Sequence, residues 1–325
     1  TETSGIELAE SIAKEIDPKT KVAVFKTYGT AMFKYKDLEL EFVGARKESY
    51  SEDSRKPSVE IGTLEDDQKR RDFTINAMAI SLNKDNFGEL IDPFGGMQDL
   101  SDKILRTPLE PHQTYSDDPL RMMRAIRFAT TLDFEIEENS LKAIREEAER
   151  MKIVSMERIM VEFNKIMLSD RPSKGLKLLE ETSLLDYILP ELTALKGIED
   201  IDGQTHKDNF YHTLQVVDNI SESTDKLWLR WSALLHDIGK APTKKFVEGI
   251  GWTFHGHEFV GSKMIKSIFK RLKLPLGQEQ KYVEKLVTMH ARPITLITDD
   301  ASDSALRRLL FDSGEDMEDL FTLCK

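Results

Sequence analysis

The sequence has 325 residues, 39% of them hydrophobic and 32% charged, with a formal net charge of −12. That length exceeds what one core usually serves, so two or three domains are expected, and the apolar content excludes a disordered chain. The negative balance argues against broad nonspecific affinity for nucleic acid, which depends on neutralising many phosphates, but leaves room for a local basic face. No run of about 18 apolar residues occurs, and the opening Thr-Glu-Thr-Ser-Gly lacks the regions of a signal peptide, so a cytoplasmic protein without a membrane partner is expected. The single cysteine, Cys324, excludes an intrachain disulfide and a Cys-based zinc site, so any metal has to sit on histidines and carboxylates.

Residues 6–15 read as an amphipathic helix, with Ile6, Leu8, Ile12 and Ala13 set against Glu7, Glu10 and Lys14. Two strand-like runs follow, Lys21–Lys26 and Leu38–Gly44; in the second, Leu40 and Phe42 face one way and Glu39, Glu41 and Val43 the other. An apolar stretch, Asp72–Asn83, precedes Leu90-Ile91-Asp92-Pro93-Phe94-Gly95-Gly96, which reads as a strand running into a turn. This first part is α/β. Ser116 is a good N-cap, acids suit the first turn and Pro119 is tolerated there, so a helix is predicted to start at Ser116 with Asp118 and Arg121 on one face. From there the pattern stays helical, with joints at Arg171-Pro172 and Leu189-Pro190-Glu191. Six of the seven histidines, His206, His212, His236, His255, His257 and His290, fall in the last two fifths and mark a chemically distinct C-terminal domain. Seams are expected near 108 and 200.

Three motifs carry chemistry. In Arg70-Arg71-Asp72-Phe73-Thr74-Ile75-Asn76-Ala77-Met78, guanidinium forks suit triphosphate oxygens and Asp or Asn can grip ribose hydroxyls, although paired arginines alone read as a solvated face. In Ser116-Asp117-Asp118-Pro119-Leu120-Arg121-Met122-Met123-Arg124, Asp118 and Arg121 read by themselves as an i,i+3 ion pair. In Leu234-Leu235-His236-Asp237-Ile238-Gly239-Lys240, an adjacent His and Asp with an upstream His212 and a later Asp303 resemble the H…HD…D pattern of HD-domain phosphohydrolases; imidazoles and carboxylates suit a divalent metal, and His255, His257 and His290 could extend the site toward a second. A lone buried histidine would instead read as core.

The first string, with Leu40-Glu41-Phe42-Val43-Gly44-Ala45-Arg46-Lys47-Glu48-Ser49-Tyr50, Arg55-Lys56-Pro57 and Asp92–Leu100, resembles the class II CCA-adding enzymes and bacterial poly(A) polymerases. The resemblance covers nearly the whole chain. It implies an α/β nucleotidyltransferase head with a mixed sheet and helices (1–108), an all-α neck and body (109–200) and an all-α HD domain (201–325). It implies template-independent addition of CCA to tRNA from CTP and ATP, with Mg²⁺ as cofactor, Glu41 as a catalytic metal carboxylate, and Arg71, Asp72 and Asn76 holding the nucleotide. Asp118, Arg121 and Arg124 would select the base; Asp117 stands where the family has Glu. His212, His236, Asp237 and Asp303, with His257 and His290 as further ligands, would hold Mg²⁺ or a divalent transition metal. Asp92–Leu100 is assigned architecture. Poly(A) polymerase and a phosphohydrolase centred on the HD domain are the alternatives. The family's Asp-x-Asp strand stands upstream of a helix like 6–15 and no such pair occurs here, so the chain is expected to be a fragment, inactive in nucleotide transfer alone, with an HD domain continuing past Lys325.

Overall fold

The computed structural model describes residues 4–26, 29–51, 54–201, 203–298 and 302–324; at 47–51, 54–59, 297 and 298 it is the backbone that is described. The side chains of the family-like stretch at 47–59 therefore lie outside the described residues. The chain divides into two compact units, Thr1–Asp118 and Pro119–Lys325.

In the first unit, helix α1 (Gly5–Ile16) lies on an antiparallel sheet of β1 (Ala23–Phe25), β2 (Thr30–Tyr35) and β3 (Leu38–Val43), in that order. The alternation read from the sequence sets the register. Phe33 pairs with Leu40 and Ala31 with Phe42, and Phe33 stacks on Phe42 at 5.4 Å between ring centroids. These side chains meet Ala9 and Ala13 of α1 in a small core, while Glu39 and Glu41 stay exposed. A hairpin, β4 (Arg46–Ser51) and β5 (Ser54–Ile61), leads to α2 (Leu64–Lys69), which a Thr63/Asp66 capping box starts. The short strands β6 (Ala79–Ile80) and β7 (Leu90–Ile91) pair, and α3 (Gly96–Asp102) and α4 (Pro111–Asp117) complete the unit.

Helix α4 corrects the sequence reading. Ser116 is not an N-cap but lies inside α4; Asp118 follows it in an extended conformation (φ −136°, ψ 97°), and α5 (Leu120–Thr131) begins beyond Pro119. The ring of Pro119 crowds the residue before it out of the α region, so the helix cannot run through Asp118. Asp118 and Arg121 therefore do not share one helical face.

The second unit is helical, apart from short two-stranded hairpins. After α5 come α6 (Glu138–Glu146), α7 (Met156–Met167), α8 (Pro172–Glu181), α9 (Leu184–Ile188) and α10 (Pro190–Thr193). Then follow α11 (Asn209–Ser221), α12 (Leu227–Leu235), α13 (Lys240–Thr243), α14 (His257–Arg271), α15 (Gln278–Met289), α16 (Arg292–Thr298), α17 (Asp303–Ser313) and α18 (Met317–Leu323). The seam expected near 200 is crossed by packing: the Trp231 indole donates to Asn164 (2.9 Å) and the Ser173 amide to Asp218 (2.9 Å). Arg230, 1% exposed, is the strongest tie. Its guanidinium donates to the carbonyls of Met167 and Ser169 (2.7 Å each), Ser221 (3.1 Å) and Thr224 (2.9 Å), satisfying helix-end carbonyls that lack amide partners. No helix among the described residues is long and apolar enough to cross a membrane.

Arg230→Met keeps much of the volume but strands these carbonyls. It is expected to lower unfolding free energy by about 3 kcal/mol, read as the shift of the urea transition; a loss under about 1 kcal/mol would contradict the role given to Arg230.

Candidate functional site

The Arg70–Met78 segment starts where α2 ends. Gln68, buried, donates from Nε2 to the Ala77 carbonyl (2.7 Å), fixing α2 against the segment after it. Asp67 splits its two oxygens between the arginines. Oδ1 accepts from Arg70, and Oδ2 accepts from Arg71 Nε (3.2 Å) and Nη2 (2.7 Å). Burial pushes the Asp67 carboxyl up, but the two guanidiniums outweigh it and hold the group below the usual carboxylate range. Arg71 keeps a side chain 42% exposed, so it is aimed yet accessible. Asp72 turns inward, where one oxygen takes the Phe73 amide (3.0 Å) and Asn76 Nδ2 (3.1 Å), leaving Asn76 itself exposed.

The Asp92–Leu100 turn supports this segment from below. Asp92 accepts from the Gly96 and Met97 amides, at 2.7 and 2.9 Å. A Cβ at Gly96 would overlap the Thr74 carbonyl, so glycine is needed for close approach. Buried Asp99 accepts from Thr74 Oγ1 (2.7 Å) and Arg106 Nε (3.2 Å). Asp67 and Asp99 were not singled out in the sequence. Asp67 had a signal, since an acid three and four residues before two arginines on a helix faces both. Glu41 projects from β3 on the exposed side of the sheet, paired in register with Met32. Asp118 is half-buried at the end of the first unit; Arg121 and Arg124 are half-buried on α5, where the Arg124 guanidinium lies 5.4 Å from the Phe128 ring centre.

The second unit gathers a denser centre at helix ends. His212 comes from α11, His236 caps the C-terminus of α12 with Asp237 beside it, His257 opens α14, and His290 caps the C-terminus of α15. Three of the imidazoles repeat one local device: Nδ1 lies against the carbonyl three residues earlier, Ala233 for His236 (2.8 Å), Phe254 for His257 (3.0 Å) and Val287 for His290 (2.7 Å). A carbonyl accepts only, so Nδ1 carries hydrogen and Nε2 of the neutral ring presents a lone pair. Those Nε2 atoms converge on Asp237, which is 2% exposed. Oδ2 lies 3.2 Å from His236 and 3.8 Å from His212; Oδ1 lies 3.3 Å from His257 and 3.7 Å from His290. Two ligand groups result, His212/His236/Asp237 and Asp237/His257/His290, sharing the carboxylate.

Burial would raise the Asp237 pKa, yet His236, His257 and His290 drive it far below the carboxylate range, making it a fixed anion. Burial, then the neighbouring His236, lowers His212, and burial lowers His290. Burial opposes protonation of His257, but its hydrogen bond to Asp237 prevails and raises it. His257 and His290 place Nε2 atoms 3.3 Å apart, an approach of two lone pairs that needs a proton or a cation between them. The donor set of neutral imidazoles and one carboxylate suits a divalent metal. Glycine makes the geometry possible: a Cβ at Gly239 would collide with the His257 carbonyl and the Gly261 amide, forcing α14 away. A cavity of ≈ 390 Å³ opens over the cluster, lined also by Gln215, Asn219, Lys240 and Cys324. Lys240, which the sequence reading did not assign, reaches Asp237 Oδ2 at 2.7 Å.

Asp303 and His255 do not join this cluster. Both are exposed, Asp303 in the first turn of α17 next to its Ser302 cap and His255 in the loop before α14, and neither belongs to a ligand group. Sequence order in an H…HD…D pattern does not decide which late carboxylate the helices bring inward.

Metal affinity is expected to fall with acid. The raised pKa of His257 makes it the first ligand to hold a proton as pH drops, whereas His212 and His290, shifted down from 6.5, stay neutral further. Co²⁺ absorption titrations should weaken as pH falls through the raised His257 range above 6.5, with the fall displaced to lower pH in His257→Gln. A flat profile for both proteins would refute this assignment.

Residues 1–106 match the poly A polymerase head domain, residues 133–196 the probable RNA and SrmB-binding site of polymerase A, and residues 209–317 the HD domain. The chain is 36% identical over 268 residues to the A-adding tRNA nucleotidyltransferase of Deinococcus radiodurans, covering 80% of this chain and 59% of the relative. It is 37% identical to the multifunctional CCA protein of Neisseria meningitidis, covering 66% of this chain and 49% of that protein. The chain thus spans about half to three fifths of these curated relatives. The CCA-adding enzyme of Bacillus stearothermophilus, solved in complex with CTP, superposes with a TM-score of 0.66 at 26% identity, covering 95% of this chain and 64% of that one.

Proposed function

Because the chain belongs to the family of CCA-adding tRNA nucleotidyltransferases and poly(A) polymerases that carry an HD domain, we propose that its full-length gene product adds CCA to tRNA 3′ ends from CTP and ATP without a nucleic-acid template. The observation that carries this reading is the Arg70–Asn76 segment, whose Asp67-held Arg71 and exposed Asn76 stand ready for phosphate and sugar while Asp72 braces them from inside. Arg71 binds triphosphate oxygens, and Asp118, Arg121 and Arg124 choose the base. Glu41, a hard oxygen donor on the exposed sheet face, fits Mg²⁺, which would supply charge neutralisation at the reacting phosphate. The work takes place in the cytoplasm.

The HD cluster is proposed as a second, metal-dependent phosphohydrolase centre. His212, His236, Asp237, His257 and His290 would hold a divalent ion, which supplies Lewis acidity toward a phosphate and its attacking water. Lys240 stands in the cavity wall, placed to receive phosphate oxygens.

One observation favours a narrower reading: the A-adding relative from Deinococcus matches 80% of this chain, more than the 66% matched by the Neisseria protein. Incubating the full-length product with tRNA ending before CCA, or after CC, and each NTP decides the matter. Addition of two C and one A is expected; a single A placed only on CC ends would establish the A-adding reading, and open-ended extension with ATP alone a poly(A) polymerase. Asp118→Ala should lower kcat/KM by about 10- to 100-fold, the worth of one lost base-reading pair. His236→Ala should leave that addition intact while ending metal-dependent release of phosphate.

A further inference from the structure

Two of the C-terminal histidines, His206 and His255, stay outside the metal-ligand groups, and each follows one of two short hairpins, Asp200–Ile201 with Gln204–Thr205 and Lys245–Val247 with Gly251–Thr253. His206 spends both ring nitrogens on the backbone: Nδ1 donates to the Lys207 carbonyl (2.8 Å) and Nε2 accepts from the Glu199 amide (3.4 Å). Its ring is thereby fixed between Trp252 and Phe254, edge-on to both, with centroids 5.1 and 5.8 Å away. Phe246 meets Trp252 at 5.4 Å across the second hairpin, and the Trp252 indole donates to the Gln204 carbonyl of the first (2.9 Å). A row of rings results, Phe246, Trp252, His206 and Phe254, none of them buried. We infer that this row is a stacking platform for the unpaired bases of a single-stranded RNA, with Trp252 and Phe254 as the stacking faces and His206 as the fixed spacer between them.

Two features set the row apart from a small core. A hairpin this short needs a cross-strand pair to hold it, and Phe246 with Trp252 supplies that pair, whereas Phe254 lies past the end of the strand. The rings also carry cations: the Lys244 ammonium lies 5.0 Å from the Trp252 ring centre and the Lys240 ammonium 5.7 Å from that of Phe254. Glu199 offsets Lys244 (2.6 Å) and Asp237 offsets Lys240, but Lys207, next to His206, and Lys245, next to Phe246, are exposed. Aromatic faces interleaved with ammonium groups suit a strand whose bases and phosphates alternate, and every base offers a face to stack, so the platform is tolerant of sequence. A row of rings fits a strand better than one nucleotide, which would use a single ring. The row ends at the HD cavity, because Lys240 lines that cavity as well as approaching Phe254, and the Phe254 carbonyl orients His257. A strand lying on the rings therefore reaches the cavity mouth.

The test uses the full chain in a chelator, so that its outcome does not depend on metal at the HD cluster. A labelled single-stranded oligo(A) RNA of about six nucleotides is crosslinked to the protein by ultraviolet light, and the crosslinked peptides are mapped by mass spectrometry. Crosslinks are expected at Trp252 and Phe254. In Phe254→Ala the yield at Trp252 should fall about tenfold, the worth of one lost stacking face, and Phe254→Tyr should restore it. Unlabelled single strand should compete, while AMP and a blunt RNA duplex of the same length should compete at least about tenfold less well. Crosslinks confined to other parts of the chain, an unchanged yield in Phe254→Ala, or equal competition by duplex or by AMP would each overturn the platform. Failure of Phe254→Tyr to restore the yield would overturn it too, since the ring would then serve the hairpin and not the RNA. Circular dichroism of each variant separates lost stacking from unfolding.

Discussion

A carboxylate held at 2% exposure has to be matched by positive charge or by proton donors, and the second unit is organised around how Asp237 meets that requirement. Four helices deliver imidazoles to it, three of those imidazoles are oriented by the carbonyl three residues upstream, and Gly239 lets α14 come close enough for His257 to take part. The charged centre is not a local feature of one motif. It depends on α11, α12, α14 and α15 packing in register, which in turn depends on the buried Phe210, Leu214, Trp231 and Phe269 between them. A second buried ion, the Arg230 guanidinium, joins this helical layer to α7 by the same logic, with carbonyl oxygens in place of imidazoles.

The head meets a similar constraint with opposite signs. Two adjacent guanidiniums repel each other, and the divided carboxylate of Asp67 relieves that repulsion while fixing the direction of Arg71. Behind them, Asp72 holds Asn76, and Thr74 and Arg106 both donate to Asp99, so that the Arg70–Asn76 segment is held from its inner side. Both units thus follow one plan: an inner polar group spends its hydrogen bonds on orientation and leaves the outer group available for chemistry.

Much of this was legible in the sequence because it is local. The 3.6-residue rhythm of 6–15 and the alternation of Leu40 and Phe42 against Glu39 and Glu41 report directly which face is buried, and α1 and β3 formed on those residues. The His236-Asp237 pair was legible because neighbours in sequence are neighbours in space. What failed was reach over distance or competition between local signals. Ser116 looks like a cap, but Pro111 had already started a helix upstream and Pro119 ended its influence downstream. Asp303 and His255 carry the right chemistry in the right order, yet the orientation of α17 and of the loop before α14 leaves them in solvent. Lys240 and Asp67 escaped notice because their importance comes from the charge they meet.

The orientation of the imidazoles around Asp237 is the premise on which the proposed metal centre rests, and it is directly observable. Proton–nitrogen correlation spectra of the imidazole side chains, recorded on chelator-treated protein near pH 8, are expected to show His236 and His290 as neutral rings protonated on Nδ1 with bare Nε2. Rings protonated on Nε2 alone would turn donors toward Asp237, remove the lone pairs a cation needs, and contradict the account.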